Sequence, residues 1–309
     1  MHGAAFVLAL VALLSVPSVG TWAQAIDPSP EVHHIHGLAV DQRDPDLLYV
    51  ATHTGLVLLR TGRKPEWVGM HRFDLMGFTA HPHETGLMYA SGHPDVITYR
   101  QDGVGHLGLL ASRDGGRTWQ SVSLKGEADF HALAFSPRDG GQLYGWSVAG
   151  QSGLYRISAA TGSGERLPGR GLSEVLALSA SPDPDGPLLA GTRAGLLMSR
   201  DGGVAWTRVP TVSADVAVTA LAHHVTDPKV VYAYLARPGP GLARSGDGGS
   251  TWEPAGPLMD PSMVVTALAV GRGNHVALAT MGGDLMRSRD EGRTWEVVLR
   301  RGRPADRSR

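Results

Sequence analysis

The 309-residue sequence carries 28 basic and 29 acidic residues, 14 histidines and no cysteine. The near-zero net charge argues against nucleic acid or an anionic membrane surface as partner. Without cysteine there are no disulfides, no thiolate metal ligands, no cysteine nucleophile and no lipoprotein anchor.

In chain order, residues 1–25 hold no Lys, Arg, Asp or Glu, and Ala4 to Leu14 form an apolar run too short to span a bilayer as a helix. Ala23-Gln24-Ala25 supplies a small-x-small cleavage pattern, so 1–25 is expected to be a signal peptide, although only His2 precedes the run where a basic segment is usual. The mature chain, exported to the periplasm or secreted, would begin near Ile26 and contains no further segment long enough to cross a membrane. Its 41 glycines and 20 prolines, with short apolar runs and no long amphipathic period, predict an all-β chain with frequent turns.

One stretch repeats. Ser112-Arg-Asp114-Gly-Gly116-Arg-Thr118-Trp119 returns at Ser199 to Trp206, Ser245 to Trp252 and Ser288 to Trp295, with Ala205 standing once where the others have Thr. In each copy the Asp (Asp114, Asp201, Asp247, Asp290) is placed to accept from turn amides, Gly supplies positive φ, and Thr-Trp suits the opening of a strand. The tryptophans are 87, 46 and 43 residues apart, so a repeat without the motif lies between the first two. Strands opening each repeat recur as His36–Val40, Met76–Ala80, His131–Phe135, Leu176–Ala180, Thr219–His223 and Thr266–Val270. Four strands per unit of about 40–45 residues is the arithmetic of a propeller blade. The expected fold is a single six-bladed β-propeller over residues 26–300, with blades starting near 34, 74, 129, 174, 217 and 264, followed by a flexible basic tail, 301–309. Blades 1 and 3 carry degenerate third turns at 61–65 and 159–163.

The turn motif resembles the Asp box (BNR repeat) of sialidases, sortilin-type receptors and many bacterial propellers. The chain is also similar to an exported subset labelled glycosyl hydrolases, through His34-Ile-His-Gly37, Ala51-Thr-His53, Ser91-Gly-His-Pro94 and Asp129-Phe-His131. That resemblance covers nearly all of the mature chain. It implies the propeller fold and, at the level of activity, a glycoside hydrolase. Sialidases resemble one another further in an arginine triad and an Arg-Ile-Pro segment before the first blade. Here Pro30–Ile35 contains no Arg, and only Arg193 is suitably placed, so sialidase activity is not expected.

Blade topology sorts the histidines. First-strand starts, second-strand ends and the loops after them share one face of the disc, while first-to-second turns and the repeated motif share the other. His81, His83, His223, His224 and His275 fall on the motif face and are expected to be solvated. His36, Met76 and His131 open the first strands of blades 1–3, and His53 and His93 end the second strands of blades 1 and 2. Two residues before each first-strand start stand His34, Asp74, Asp129 and Glu174. Imidazoles plus a thioether without thiolate suit copper, with zinc as the alternative. Asp74 and Asp129 are placed to accept from the outer ring N–H of a ligand histidine. The loop Pro94 to Gly105 is positioned as a partial lid over this mouth.

Three function classes are open on this basis. One is a metal or small-ligand site on His36, His53, Met76, His93 and His131, with no organic cofactor. The second is a glycoside hydrolase using two channel-mouth carboxylates from Glu127, Asp129, Asp74, Asp95 and Glu174. The third is a protein-interaction scaffold, whose mark would be an exposed apolar patch on one face.

Overall fold

The computed structural model describes residues 30, 32–239, 241–256, 260 and 263–305. The expected signal peptide lies outside these residues. The chain forms six antiparallel sheets in sequence order, each a four-stranded meander, with a short fifth strand on the last. Their first strands are Ile35–Val40, Asp74–Ala80, Phe130–Ser136, Val175–Ala180, Ala217–His223 and Val265–Val270. Each contacts the first strands of the blades before and after it, and the sixth returns to the first, so the sheets close into a six-bladed propeller. Among the described residues no helix is long and apolar enough to cross a membrane.

The apolar cores lie between blades. Each of six buried clusters mixes side chains of two successive blades, the last joining Leu38, Val40 and Val50 of blade 1 to Ala267, Ala277 and Leu285 of blade 6. Each fully buried Leu or Val contributes roughly 1.5–3 kcal/mol relative to exposure.

The repeated motif does more than close a hairpin. In the blade 2 copy Ser112 Oγ donates to Asp114 Oδ1 at 2.8 Å, and Thr118 donates its N–H to Oδ1 at 2.9 Å and its hydroxyl to Oδ2 at 2.6 Å. The copies at Asp247 and Asp290 repeat this set, whereas at Asp201 the residue at the Thr position, Ala205, offers only its N–H. Trp119, Trp206, Trp252 and Trp295 then pack into the core shared with the preceding blade. Gly116, at φ 85°, sits where a Cβ would come within 2.2 Å of Leu56 of that blade. The motif therefore docks blades 2, 4, 5 and 6 on their predecessors.

Among the described residues blades 1 and 6 exchange no strand. Their seam is sealed by Arg287, only 2 % exposed, whose guanidinium lies 3.1 Å from Asp46 of blade 1 and 2.7 Å from Glu296. Thr266 Oγ1 also donates to the Ile35 carbonyl at 2.8 Å, and Val32 N–H to the Gly302 carbonyl at 3.2 Å. Arg303–Pro304, within the segment expected to be a loose tail, pairs with the end of strand Glu296–Arg300; residues 306–309 lie outside the described ones.

Candidate metal site at one mouth of the channel

All six first strands carry a β-bulge at one matched position: His36, Met76, His131, Leu176, Thr219 and Thr266. A bulged residue is left out of the ladder and its side chain is re-aimed. The bulges ring one mouth of a channel of about 190 Å³ lined by first strands from all six blades. In blades 5 and 6 the bulged threonines donate to the backbone of the next blade, Thr219 to Val265 at 2.7 Å and Thr266 to Ile35. His36 and His131 occupy the same place without that role and line the channel.

Blade 2 contributes most. Asp74 and His93 face each other across its first two strands. Their approach depends on Gly92 (φ 142°), where a Cβ would come within 1.9 Å of the Asp74 carbonyl oxygen. Beyond His93 the expected lid contains the helix Val96–Asp102, capped at its start by Asp95, which accepts from Thr98 N–H at 2.8 Å and Arg72 N–H at 3.2 Å. Burial would raise the Asp95 carboxyl, but these amide hydrogen bonds hold it below its usual range. Asp95 is thus occupied in structure and is withdrawn from the candidate carboxylates. The loop after the helix delivers His106, pinned on both sides by backbone bonds, Leu107 N–H to Gly92 and Gly126 N–H to His106, each 2.9 Å.

Two groups of donors result. His36, His53 and Asp74 each offer an atom within 4.8 Å of the others, and so do His93, His106 and Asp129. In the first, His53 Nδ1 lies 2.8 Å and His36 Nε2 3.9 Å from Asp74 Oδ1. The His53 contact is close but not aligned as a hydrogen bond, so Asp74 Oδ1 is buried without a hydrogen-bond partner, as is His36 Nε2. In the second, His93 Nε2 lies 3.3 Å from Asp129 Oδ2, while Asp129 Oδ1 and His106 Nδ1 are buried without partners. The groups are joined through His93, whose Nδ1 stands 3.3 Å from Asp74 Oδ2.

The electrostatics favour the neutral ring at His36 and the ionised carboxylate at Asp129. Burial, and then the neighbouring His53, lowers His36 to about 4 despite an opposing pull from Asp74. Burial would raise Asp129, which is 3 % exposed, but the His131 hydrogen bond and the His131, His93 and His106 charges bring it below its ordinary value.

This arrangement revises the expected ligand set. The donors divide between two pockets instead of surrounding one point, and Asp74 and Asp129 stand among them as well as behind them. His131 joins through its carboxylate neighbour, Nε2 lying 2.9 Å from Asp129 Oδ2. Met76 is half-buried at its bulge. His106 was missed because nothing marks it beyond its place one residue past the expected lid. Glu127 and Glu174 are exposed and belong to neither group.

On the other face, His81 and His224 each accept two turn N–H groups on Nδ1, the role Asp41 plays in blade 1. His223 is not solvated. It ends its strand 8 % exposed, with Nδ1 2.7 Å from Ser179 Oγ, and burial lowers it to about 3. His275 is half-buried and lowered by burial and then by Arg289 and Arg287.

Among the described residues the exposed large apolar side chains are Val96, Ile97 and Tyr99 of the lid helix with Met70, Val148, Val264 and Met281. By the meander topology every one lies on the histidine face.

No protein-family model matches the chain, and no curated protein matches it in sequence. Among solved structures it is similar to YCF48 bound to D1 peptide, at 18 % identity and TM-score 0.49, covering 87 % of this chain and 83 % of that one. It is similar to an ancestral GH74 enzyme at 13 % identity and TM-score 0.54, covering 88 % of this chain and 39 % of that one. The extracellular domain of a one-component system from B. thetaiotaomicron matches at 12 % identity and TM-score 0.52, over 87 % of this chain and 34 % of that one. The chain thus spans less than half the length of the last two. At these identities the likeness shows the β-propeller fold alone, and the resemblance to the sialidase or sortilin type is confined to the turn motif.

Proposed function

We propose that this protein is an exported propeller that binds a transition-metal ion at the histidine mouth of its channel. The observation that carries this is the set of buried atoms without hydrogen-bond partners, His36 Nε2, Asp74 Oδ1, His106 Nδ1 and Asp129 Oδ1, all within the two His-His-Asp groups. A buried polar atom left unpaired costs about 1–3 kcal/mol, and a cation held between them would offset that cost. Two imidazoles and a carboxylate suit Cu(II) or Zn(II) better than Cu(I), for which Met76 would be the softer donor. The apolar loops around the mouth also fit the criterion for a protein-interaction surface, and a partner docked there would cover the metal.

The glycoside hydrolase alternative draws on Glu127, Asp129, Asp74 and Glu174. It is weakened because Asp74 and Asp129 are engaged by imidazoles and Asp129 is lowered, the wrong direction for a general acid. Metal analysis of protein purified from the periplasm without added metal tests the proposal. Bound copper or zinc that is reduced in His36→Ala but unchanged in His83→Ala is the expected result. Metal-free protein that takes up neither ion, or glycoside turnover abolished by Glu174→Gln, would overturn it.

A further inference from the structure

We propose that the mouth holds two metal ions rather than one, in two His-His-Asp pockets coupled through Asp74 and His93. This rests on the metal reading above and adds number and linkage to it. The pockets share no donor: His36, His53 and Asp74 form one, His93, His106 and Asp129 the other. Each is a two-histidine, one-carboxylate set, which leaves coordination positions open for water or a further ligand.

The linkage follows from the place of the His93 ring between two carboxylates. Nδ1 stands 3.3 Å from Asp74 Oδ2, which can only accept, so that contact uses an N–H. Nε2, on the other side of the ring, lies 3.3 Å from Asp129 Oδ2. A metal ion bound through the Nε2 lone pair requires this Nδ1–H tautomer, which the Asp74 contact selects. The remaining acceptor of that carboxylate, Oδ1, and His106 Nδ1 are the partnerless atoms of the same pocket. A divalent ion would satisfy all of them, with Asp74 fixing the His93 tautomer as a carboxylate behind a ligand histidine does.

Asp74 therefore serves both pockets with different atoms. Oδ1 faces His36 and His53 as a donor to the first ion, and Oδ2 orients a ligand of the second. Filling the first pocket draws electron density from the carboxylate that holds His93, so the two affinities are linked. His131, hydrogen-bonded to Asp129, is a positioning residue of the second pocket.

The test is a titration of the chelator-stripped mature protein with Zn(II), against a chromophoric competitor, with bound metal counted after gel filtration. Wild type should take up two equivalents. His53→Ala and His106→Ala should each retain one, the double variant none, and His83→Ala two. Asp74→Asn, which keeps the size of the side chain, should lose the first equivalent and weaken the second at least tenfold. A single equivalent in wild type, abolished by either histidine variant, would overturn the two-ion proposal while leaving a metal site. No uptake at all would remove the underlying metal reading too. A second equivalent indifferent to Asp74→Asn would overturn the coupling. His131→Ala should weaken only the second equivalent, an effect rescued by His131→Gln, whose amide can still donate to Asp129.

Discussion

The two faces of the disc use the same residue type in opposite ways. On the motif face each aspartate is satisfied within its own turn by residues two to four positions away: Asp247 receives Ser245 Oγ, Ser250 N–H, Thr251 N–H and Thr251 Oγ1. On the histidine face Asp74 and Asp129 meet side chains from neighbouring blades and keep one oxygen each without a hydrogen bond. Local closure makes a turn whose polar groups are satisfied from within and offer nothing to a ligand. Closure across blades leaves donors that only a further species can satisfy, so function gathers where the chain's own hydrogen bonds stop short.

The most damaging way to break this contrast is Gly92→Ala. With φ 142° and a Cβ position 1.9 Å from the Asp74 carbonyl oxygen, the strand pair must part and both pockets move. Loss of Zn(II) binding is expected, with a stability loss of about 1–3 kcal/mol in denaturant melts. Asp247→Ala should cost about 1–2 kcal/mol, by orphaning turn donors, and leave metal stoichiometry unchanged. Lost binding in that variant would show that the faces are not independent.

Acid should weaken both faces of the metal-free protein. His36 titrates near 4 in the fold against 6.5 unfolded, so the unfolded chain binds more protons between these values. Its contribution is therefore full above pH 6.5 and falls as the pH drops towards 4. Asp114, held near 2 chiefly by the Thr118 hydroxyl and N–H, has the usual carboxylate sign: its contribution is full above 3.8 and is lost as the pH falls through 2. His223, lowered to about 3, and His275 act in the same sense, so stability measured against pH should decline from about 6.5 downwards, and His36→Gln should remove only part of the slope between 6.5 and 4. The smallest effect expected is a gain. Ala205→Thr restores the hydroxyl that Asp201 lacks and should stabilise by about 0.5–1 kcal/mol, with no change in binding.

Much of this was legible because it is periodic. Six recurring strand starts, phased by four motif copies, fix the blade count, and those at residues 36, 76 and 131 align His36, Met76 and His131 without coordinates. What could not be read is contact at long sequence range or off the period. His106 is placed by backbone bonds to Gly92 and Gly126 that no pattern announces. His223 looked like a turn residue, yet strand register carries it inside to meet Ser179, 44 residues earlier. The division of the donors into two pockets turns on which oxygen of Asp74 faces which ring, a matter of ångströms and not of spacing.

The bulge present in every first strand has a consequence for how such a protein changes over generations. Since the residue there takes no part in the ladder, its identity is decoupled from strand pairing, although Thr219 and Thr266 also tie one blade to the next, and the six positions read around the axis as a word spelled His-Met-His-Leu-Thr-Thr. The first four letters make no such tie and can be exchanged one at a time with the strand pairing left as it is. That part of the ring could therefore pass from one cargo to another by single substitutions.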